Sequence, residues 1–200
     1  DSEVRSRISV TSFFELCQIL LKDFEPDREK YYDSVTWKLG EHIDEVFREY
    51  YRCWRNFDSA RVLRPIHQSL TAQSISAENY LREEFDWLRS ALSVKDRKTY
   101  LKASEVPRHG RRFPIQEEWR KLILDGLGGW EEKMEAVGVV DYLGLTTAVS
   151  NHFERLSSRF SNIIVDEAQD FGTTELNIIR RLVPEGENDI FLCGDIAQHV

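Results

Sequence analysis

Apolar residues recur every three or four positions through most of the first 160 residues of this 200-residue chain, which is the spacing of amphipathic helices. The first helix is predicted to begin at Phe13, where Thr11 or Ser12 can cap it. Two further helices are predicted from apolar stripes, and Ser76 is a candidate cap for the second of them. The stripes consist of Ile43, Val46, Phe47, Tyr50 and Trp54 in one helix, and of Leu81, Phe85, Leu88 and Leu92 in the other.

The following segment predicts more helix, with an interruption. A helix is expected from Trp119, but three glycines follow, and each costs about 1 kcal/mol relative to alanine inside a helix. The glycines are therefore predicted to break or kink the helix before the helical spacing resumes at Trp130. A further helix is predicted from Asp141 to Leu156, with Asp141 as its cap. The three glycines are Gly126, Gly128 and Gly129.

The pattern changes after residue 160, where short β-branched runs replace the helical spacing. Asn162–Val165 and Asp189–Cys193 are predicted strands, and Thr174–Val183 between them is a predicted helix that Pro184 ends. A strand, a helix and a strand within about 30 residues form a βαβ unit, whose strands pair in parallel. The predicted fold class is α/β, in which part of a parallel sheet carries a large, mainly helical insertion.

Composition narrows the functional classes. The net charge of −8 argues against binding nucleic acid by bulk charge, so DNA contacts would come from local basic or aromatic patches. The three cysteines are far apart and form no zinc-binding spacing with the histidines, so a reducing, cytoplasmic setting is expected rather than a disulfide scaffold. No run of about 18 apolar residues occurs, so no membrane span is expected.

Two adjacent carboxylates follow the first predicted strand. Asp166 and Glu167 come directly after Val165, at the position where ligands bind in open α/β folds. One carboxylate can hold Mg²⁺, which prefers hard oxygen ligands, and the next can orient and deprotonate an attacking water. A strand that ends in an acidic turn is the simpler alternative for these two residues alone.

A related pattern follows the second predicted strand. Gly194 and Asp195 come directly after it, and Gln198 lies three residues further on. The carboxyl ends of neighbouring parallel strands meet at one edge of a sheet. Asp166, Glu167 and Gln198 are therefore predicted to approach one another there.

These two runs resemble motifs of superfamily 1 (UvrD/Rep-like) DNA helicases. Asp-Glu-Ala-Gln-Asp at 166–170 resembles motif II, and Gly-Asp-Ile-Ala-Gln at 194–198 resembles motif III, in the same order. The resemblance implies a partial P-loop NTPase (RecA-like) sheet in which Asp166 binds Mg²⁺ and Glu167 is the catalytic base. Gln198 would then sense the γ-phosphate of ATP and couple it to DNA.

The segment 8–17 is similar to motif Ib of the same helicases, a strand followed by Thr-Phe-His-Ser-Leu-Cys. Ser12 stands where the family has threonine, and Phe14 replaces the histidine. Because this stretch contacts single-stranded DNA in the family, Ser12 and Phe14 are candidate DNA-binding residues. The remaining apolar residues are as readily explained by burial in the core; they are Phe13, Leu16 and Cys17.

Further candidate DNA contacts lie outside the motifs. Arg108, Arg111 and Arg112 form a basic cluster that can neutralise several phosphates, although such a run is often only a solvated loop. Tryptophans can also stack on bases. Each of those in this chain lies near a helical apolar stripe, so core packing is favoured for most of them. They are Trp37, Trp54, Trp87, Trp119 and Trp130.

The sequence contains no G-x-x-x-x-G-K-[ST] loop, which P-loop ATPases use to hold the phosphates. In the helicases that this chain resembles, the Walker A segment precedes motif Ib and a second motor domain follows motif III. The resemblance therefore implies an internal part of a longer helicase, which alone would be inactive. Residues 1–23 and 159–200 would belong to motor domain 1A, and 24–158 to a mainly helical 1B-like insertion with flanking helices.

The expected function is therefore a part in an ATP-dependent DNA helicase or translocase. ATP and Mg²⁺ would be its cofactors, and its partners would be single-stranded or partly duplex DNA and the rest of the helicase chain. Two alternatives remain open. The chain could be an accessory lobe that binds DNA or protein, or the motor part of a helicase–nuclease or defence protein.

Overall fold

A computed structural model describes residues 7–28, 31, 42–55, 60–104, 106 and 113–195. Within them the α-helices are α1 (Phe13–Phe24), α2 (Ile43–Trp54), α3 (Ala60–Ala72), α4 (Ala77–Ala91), α5 (Glu117–Val137), α6 (Tyr142–Ser150) and α7 (Thr173–Arg181). The strands are β1 (Ile163–Val165) and β2 (Ile190–Leu192), and 3-10 helices span Arg97–Leu101, Phe153–Arg155 and Ala168–Asp170.

Three helices begin at caps that the sequence predicts. The Ser12 hydroxyl accepts the Glu15 N–H at 3.1 Å, and the Ser76 hydroxyl accepts the Asn79 N–H at 3.4 Å. The Asp141 carboxylate accepts the Gly144 N–H at 2.8 Å at the start of α6. Each side chain satisfies a backbone donor that the first helical turn leaves free.

Helices α2, α3, α4 and α5 enclose the first of two hydrophobic cores. Phe85 and Trp130 are fully buried in it, and the Phe47 ring meets the Trp130 ring edge to face with centroids 5.1 Å apart. The preference for core packing of tryptophan is confirmed for Trp54, Trp119 and Trp130. Trp87 is partly buried against the same core, whereas Trp37 lies outside the described residues.

The predicted interruption at the three glycines is wrong, because α5 is one continuous helix. Gly126 faces the Trp54 ring so closely that a Cβ there would overlap it. A Cβ on Gly129 would lie 2.9 Å from the Tyr50 hydroxyl, which donates a hydrogen bond to the Gly126 carbonyl at 2.6 Å. Gly126 and Gly129 therefore form a flat surface on which aromatic side chains of α2 pack, and that burial outweighs their low helix propensity.

The second core joins α1, α6 and α7. Leu20 and Leu21 of α1 pack there with Val149 of α6 and Ile178 of α7, and all four are fully buried. Helix α4 belongs to the first core but also contacts α6 and α7, so it links the two cores. The single helix predicted from Asp141 to Leu156 ends at Ser150, and the short 3-10 helix at Phe153–Arg155 follows it.

The sheet confirms the predicted parallel pairing. Ile163 pairs with Ile190 and Val165 with Leu192, and the crossover between the strands contains α7. Residues 8–10 correspond to the strand that begins motif Ib in the family that this segment resembles, but they pair with no strand in the part of the chain that the structure describes. Among the described helices, none has the length and apolar character needed to cross a membrane.

Candidate active site

Strand β1 brings Asp166 and Glu167 to its carboxyl end, as the sequence predicts. Val165 is buried, whereas both following carboxylates are exposed at the edge of the sheet. The backbone N–H of Cys193 donates to the Val165 carbonyl at 2.8 Å, so the segment after β2 runs beside the acidic residues. The two strand ends therefore meet at one edge, which is where open α/β sheets bind ligands.

The backbone turns sharply at Glu167. Its φ of 52° and ψ of 42° lie in the left-handed region, which a residue with a side chain adopts at a cost of order 1 kcal/mol or more. The carboxylate of Asp166 accepts the Glu167 N–H at 3.0 Å, and Ala168–Asp170 then forms a 3-10 turn. In a continuing strand these two consecutive carboxylates would project from opposite faces of the sheet, and the turn at Glu167 interrupts that alternation.

Close backbone contacts hold the segment after β2 against residues 166–170, the acidic turn. The Ala168 N–H donates to the Cys193 carbonyl at 2.7 Å. A Cβ on Gly194 would overlap the Gln169 side chain and would lie 3.2 Å from its backbone nitrogen. Glycine at this position therefore permits an approach that any other residue would obstruct.

Gln169 connects the two segments through both ends of its amide. Its Nε2 donates to Glu167 Oε2 at 2.5 Å, and its Oε1 accepts the Asp195 N–H at 3.1 Å. Gln169 has no role of its own among the predictions made from the sequence. The sequence places Gln169 only two residues after Glu167, which could have indicated a contact between the two side chains. The contact with Asp195 depends on the tertiary fold and has no such signal in the sequence.

The residues that follow the acidic turn contact helix α4. Gly172 follows the turn, and its N–H donates to Glu175 Oε2 at 2.8 Å. The same oxygen accepts the Ser90 hydroxyl at 3.0 Å, and Glu175 is almost fully buried. A Cβ on Gly172 would overlap Ser90, so the backbone just after the turn touches the helix that links the two cores.

The segment that resembles motif Ib lies close to this turn. The Phe13 ring meets the Phe171 ring edge to face, with centroids 5.4 Å apart. The Ser12 N–H donates to Glu15 Oε2 at 3.0 Å, so that Ser12 and Glu15 cap each other. Hydrogen bonds from the Ser12 backbone and from the Thr11 and Ser12 hydroxyls lower the pKa of Glu15.

The two candidate DNA-binding residues in this segment differ in environment. Ser12 is exposed, whereas Phe14 is half-buried and packs against the second core. Gln198 and the three arginines of the basic cluster, Arg108, Arg111 and Arg112, lie outside the described residues, and their roles stay predictions.

The donor chemistry at the sheet edge fits Mg²⁺. In nucleotide sites this ion is typically held by one or two carboxylates together with phosphate oxygens and waters. Asp166 offers an exposed carboxylate beside that of Glu167. No group of three histidine, cysteine or acidic side chains with the arrangement of a metal site occurs among the described residues.

Comparison with known proteins shows the family to which this chain belongs. The sequence model of the UvrD/REP helicase N-terminal domain matches residues 3–200. The chain is similar to an ATP-dependent helicase/nuclease subunit of Lactobacillus johnsonii (strain CNCM I-12250 / La1 / NCC 533), at 39% identity over 211 aligned positions. That alignment covers 96% of this chain and 17% of the relative.

A second relative is the ATP-dependent helicase/nuclease subunit of the same name from Lactobacillus gasseri, at 37% identity over 59 positions. These positions cover 28% of this chain and 5% of the relative. The chain thus spans only a small part of the length of these curated relatives. No solved structure matches it.

Proposed function

Because the chain belongs to the UvrD/REP helicase N-terminal domain family, we propose that it forms part of a DNA helicase that couples ATP hydrolysis to movement on single-stranded DNA. The observation that carries this proposal is the edge of the sheet where Asp166 and Glu167 follow β1 beside the end of β2. In a doubly wound sheet, this edge is suited to bind the phosphates of a nucleotide.

Each residue at this edge has a proposed role. Asp166 would hold Mg²⁺, which when bound neutralises charge on the β- and γ-phosphates of ATP. Glu167 would orient the attacking water and accept its proton. The water oxygen then bonds to the γ-phosphorus as the bond to the β–γ bridging oxygen breaks, and ADP and phosphate are released. Gln198 would sense the γ-phosphate.

The phosphate-binding loop would come from another part of a longer protein. The 200 residues contain no G-x-x-x-x-G-K-[ST] sequence. We propose that the Walker A segment and a second motor domain lie in the same polypeptide. The small share of the relatives' length that the chain spans supports this view.

The two cores support the proposed domain division. The core around α1, α6 and α7 would belong with residues 1–23 and 159–200 to motor domain 1A. The core around α2, α3, α4 and α5 would be the 1B-like part of residues 24–158. Helix α6 lies within 24–158 but packs with α1, as a helix flanking the sheet would.

The proposed nucleic-acid partner is single-stranded or partly duplex DNA. Ser12 and Phe14 would contact it close to the ATP site, and Arg108, Arg111 and Arg112 would contact it from the helical insertion. The contact of Phe13 with Phe171 supports a short path from the first of these regions to the acidic turn. The proposal places this activity in the cytoplasm.

A second candidate follows from the printed names of the relatives. Both are named as subunits of an ATP-dependent helicase/nuclease, so the motor could serve an attached or associated nuclease. The helicase chemistry of Asp166 and Glu167 would be the same in this case. A nuclease assay on the full-length protein with Mg²⁺ and ATP distinguishes it from a helicase that only translocates.

The proposal is tested by comparing the 200-residue chain with the full-length protein in an ATPase assay. The full-length protein should hydrolyse ATP only with Mg²⁺ and faster with single-stranded DNA, whereas the 200-residue chain should be inactive. DNA-independent turnover in the full-length protein would contradict the coupling. Magnesium-dependent hydrolysis by the 200-residue chain would contradict the division of the site.

A further inference from the structure

We propose that Gln169 is a positioning residue, which holds the Glu167 carboxylate in place by tying it to the turn that follows β2. This inference rests on the proposed role of Glu167. Gln169 Nε2 lies 2.5 Å from Glu167 Oε2, and Gln169 Oε1 lies 3.1 Å from the Asp195 backbone nitrogen. One side chain therefore spans from the acidic residue to the neighbouring strand end.

The orientation of the Gln169 amide follows from its partners. The Asp195 N–H can only donate, so the group facing it must be the amide oxygen. The NH₂ group then points to the Glu167 carboxylate, which accepts. A hydrogen bond from a neutral donor to a carboxylate is stronger than one between two neutral groups. The Asp195 N–H thus determines which end of Gln169 meets the proposed base.

Gly194 maintains this arrangement from the other side. A Cβ at position 194 would overlap Gln169 Oε1 and would lie 3.3 Å from the Ala168 backbone nitrogen. The backbone hydrogen bond between Ala168 and Cys193 leaves little room for the turn to move away. A side chain at position 194 would therefore displace the amide while leaving Gln169 itself unchanged.

The exposed Glu167 side chain needs such a restraint for the proposed chemistry. A glutamate at the surface has several rotatable bonds, and a general base must lie within hydrogen-bonding reach of the attacking water. Misplacement of a reacting group by about 1 Å can lower the rate on the order of 100-fold. The Gln169 amide restricts the carboxylate before substrate binds. It also links the position of Glu167 to the segment that leads from β2 towards Gln198.

The test uses steady-state ATPase kinetics of the full-length protein with saturating single-stranded DNA. Gln169→Glu retains an acceptor for the Asp195 N–H but directs an anionic oxygen at Glu167. We expect kcat to fall on the order of 10- to 100-fold, while the KM for ATP stays within about twofold. Gly194→Ala should lower kcat in the same way. Gln68→Glu on the exposed face of α3 makes the same chemical change as a control and should leave kcat unaffected.

A double-mutant cycle with Glu167→Gln separates the possible results. If Gln169 acts through Glu167, adding Gln169→Glu to Glu167→Gln should lower kcat no further. An unchanged kcat in Gln169→Glu and Gly194→Ala, even with a lower melting temperature, would mean that Gln169 is only structural. Fully additive losses would also overturn the inference. If Glu167→Gln alone retained normal turnover, the proposed base itself would be wrong.

Discussion

The guanidinium of Arg89 in α4 makes a two-pronged ion pair with the carboxylate of Asp141, the residue that caps α6. Nη1 lies 2.7 Å from Oδ2, and Nη2 lies 2.5 Å from Oδ1. The Arg89 side chain is completely buried, and Asp86 and Glu131 complete its acidic surroundings. Since α4 lines the first core and α6 the second, this ion pair joins the two at a buried point.

Removal of the Asp141 carboxylate should be strongly destabilising. Asp141→Ala leaves the buried Arg89 without its closest counter-ion, and breaking a buried ion pair in this way costs about 3–5 kcal/mol. It also removes the cap of α6. We expect a loss of this size in the free energy of unfolding measured in urea. Asp125→Ala, at an exposed position of α5, is the control. If both substitutions lowered the free energy of unfolding by the same small amount, the structural role of the Arg89–Asp141 ion pair would be contradicted.

The same ion pair predicts how stability depends on pH. Burial by itself would raise the pKa of Asp141, but the charge and hydrogen bonds of Arg89 outweigh burial and hold it below the usual 3.8. The unfolded chain then binds this proton at higher pH than the folded chain. The stability that the ionised Asp141 contributes is therefore fully present above its usual pKa of 3.8. It is lost as the pH falls from 3.8 through the pKa of the folded state.

Urea denaturation from pH 7 down to pH 3 measures this dependence. Asp141→Asn keeps the size of the side chain but cannot titrate. The difference in unfolding free energy between the wild type and this variant should shrink as the pH falls below about 4. A difference that stays constant over the whole range would contradict the assigned pKa direction.

The glycines of α5 provide a matched pair of substitutions. A Cβ on Gly126 would overlap the Trp54 ring, whereas one on Gly128 meets nothing within 4 Å. Gly126→Ala should lower the free energy of unfolding by about 1–3 kcal/mol through overpacking. Gly128→Ala should raise it by up to about 1 kcal/mol, because alanine is the better helix former. Stabilisation by both would mean that the close approach to Trp54 is unimportant.

Local signals are sufficient for much of the fold. Ser12, Ser76 and Asp141 act as the predicted caps because a cap depends on residues only two or three positions away. The parallel pairing of β1 with β2 also follows from a short pattern, since a helix between two nearby strands imposes it.

Other features depend on contacts between distant residues. The predicted break at Gly126 does not occur, and the sequence near Gly126 gives no indication that Trp54 packs on it. Helix α3 has no counterpart among the predicted helices, although its buried residues Leu63, Ile66 and Leu70 have helical spacing. Pro65 within it is a poor helix former. The local sequence pattern is enough to predict that Asp166 and Glu167 lie at a strand end. The hydrogen bond of Gln169 to Asp195 cannot be predicted in this way, because it depends on where the end of β2 lies in the folded chain.

The proposed role of the basic cluster in DNA binding can be tested. Replacing Arg108, Arg111 and Arg112 with alanine in the full-length protein should weaken binding to a single-stranded oligonucleotide. The slope of log K against log salt should fall in magnitude by about 0.7 for each phosphate that the variant no longer neutralises. Fluorescence anisotropy at several salt concentrations measures both quantities.

A second triple variant serves as the control for total charge. It replaces three arginines that are exposed in the helical part of the structure, Arg52, Arg55 and Arg64. Its salt dependence should stay close to that of the wild type. Equal losses in the two variants would indicate that DNA binding follows net charge rather than a local site.

The most direct test of the proposed function is the turnover of Glu167→Gln in the full-length protein, with Mg²⁺ and saturating single-stranded DNA. The amide keeps the size of the side chain but cannot accept the proton of the attacking water, so kcat should fall by about 100-fold or more. Binding of ATP and DNA should persist, and Glu185→Gln in the exposed loop after α7 should behave like the wild type. Near-normal ATP turnover by Glu167→Gln would contradict the proposed mechanism.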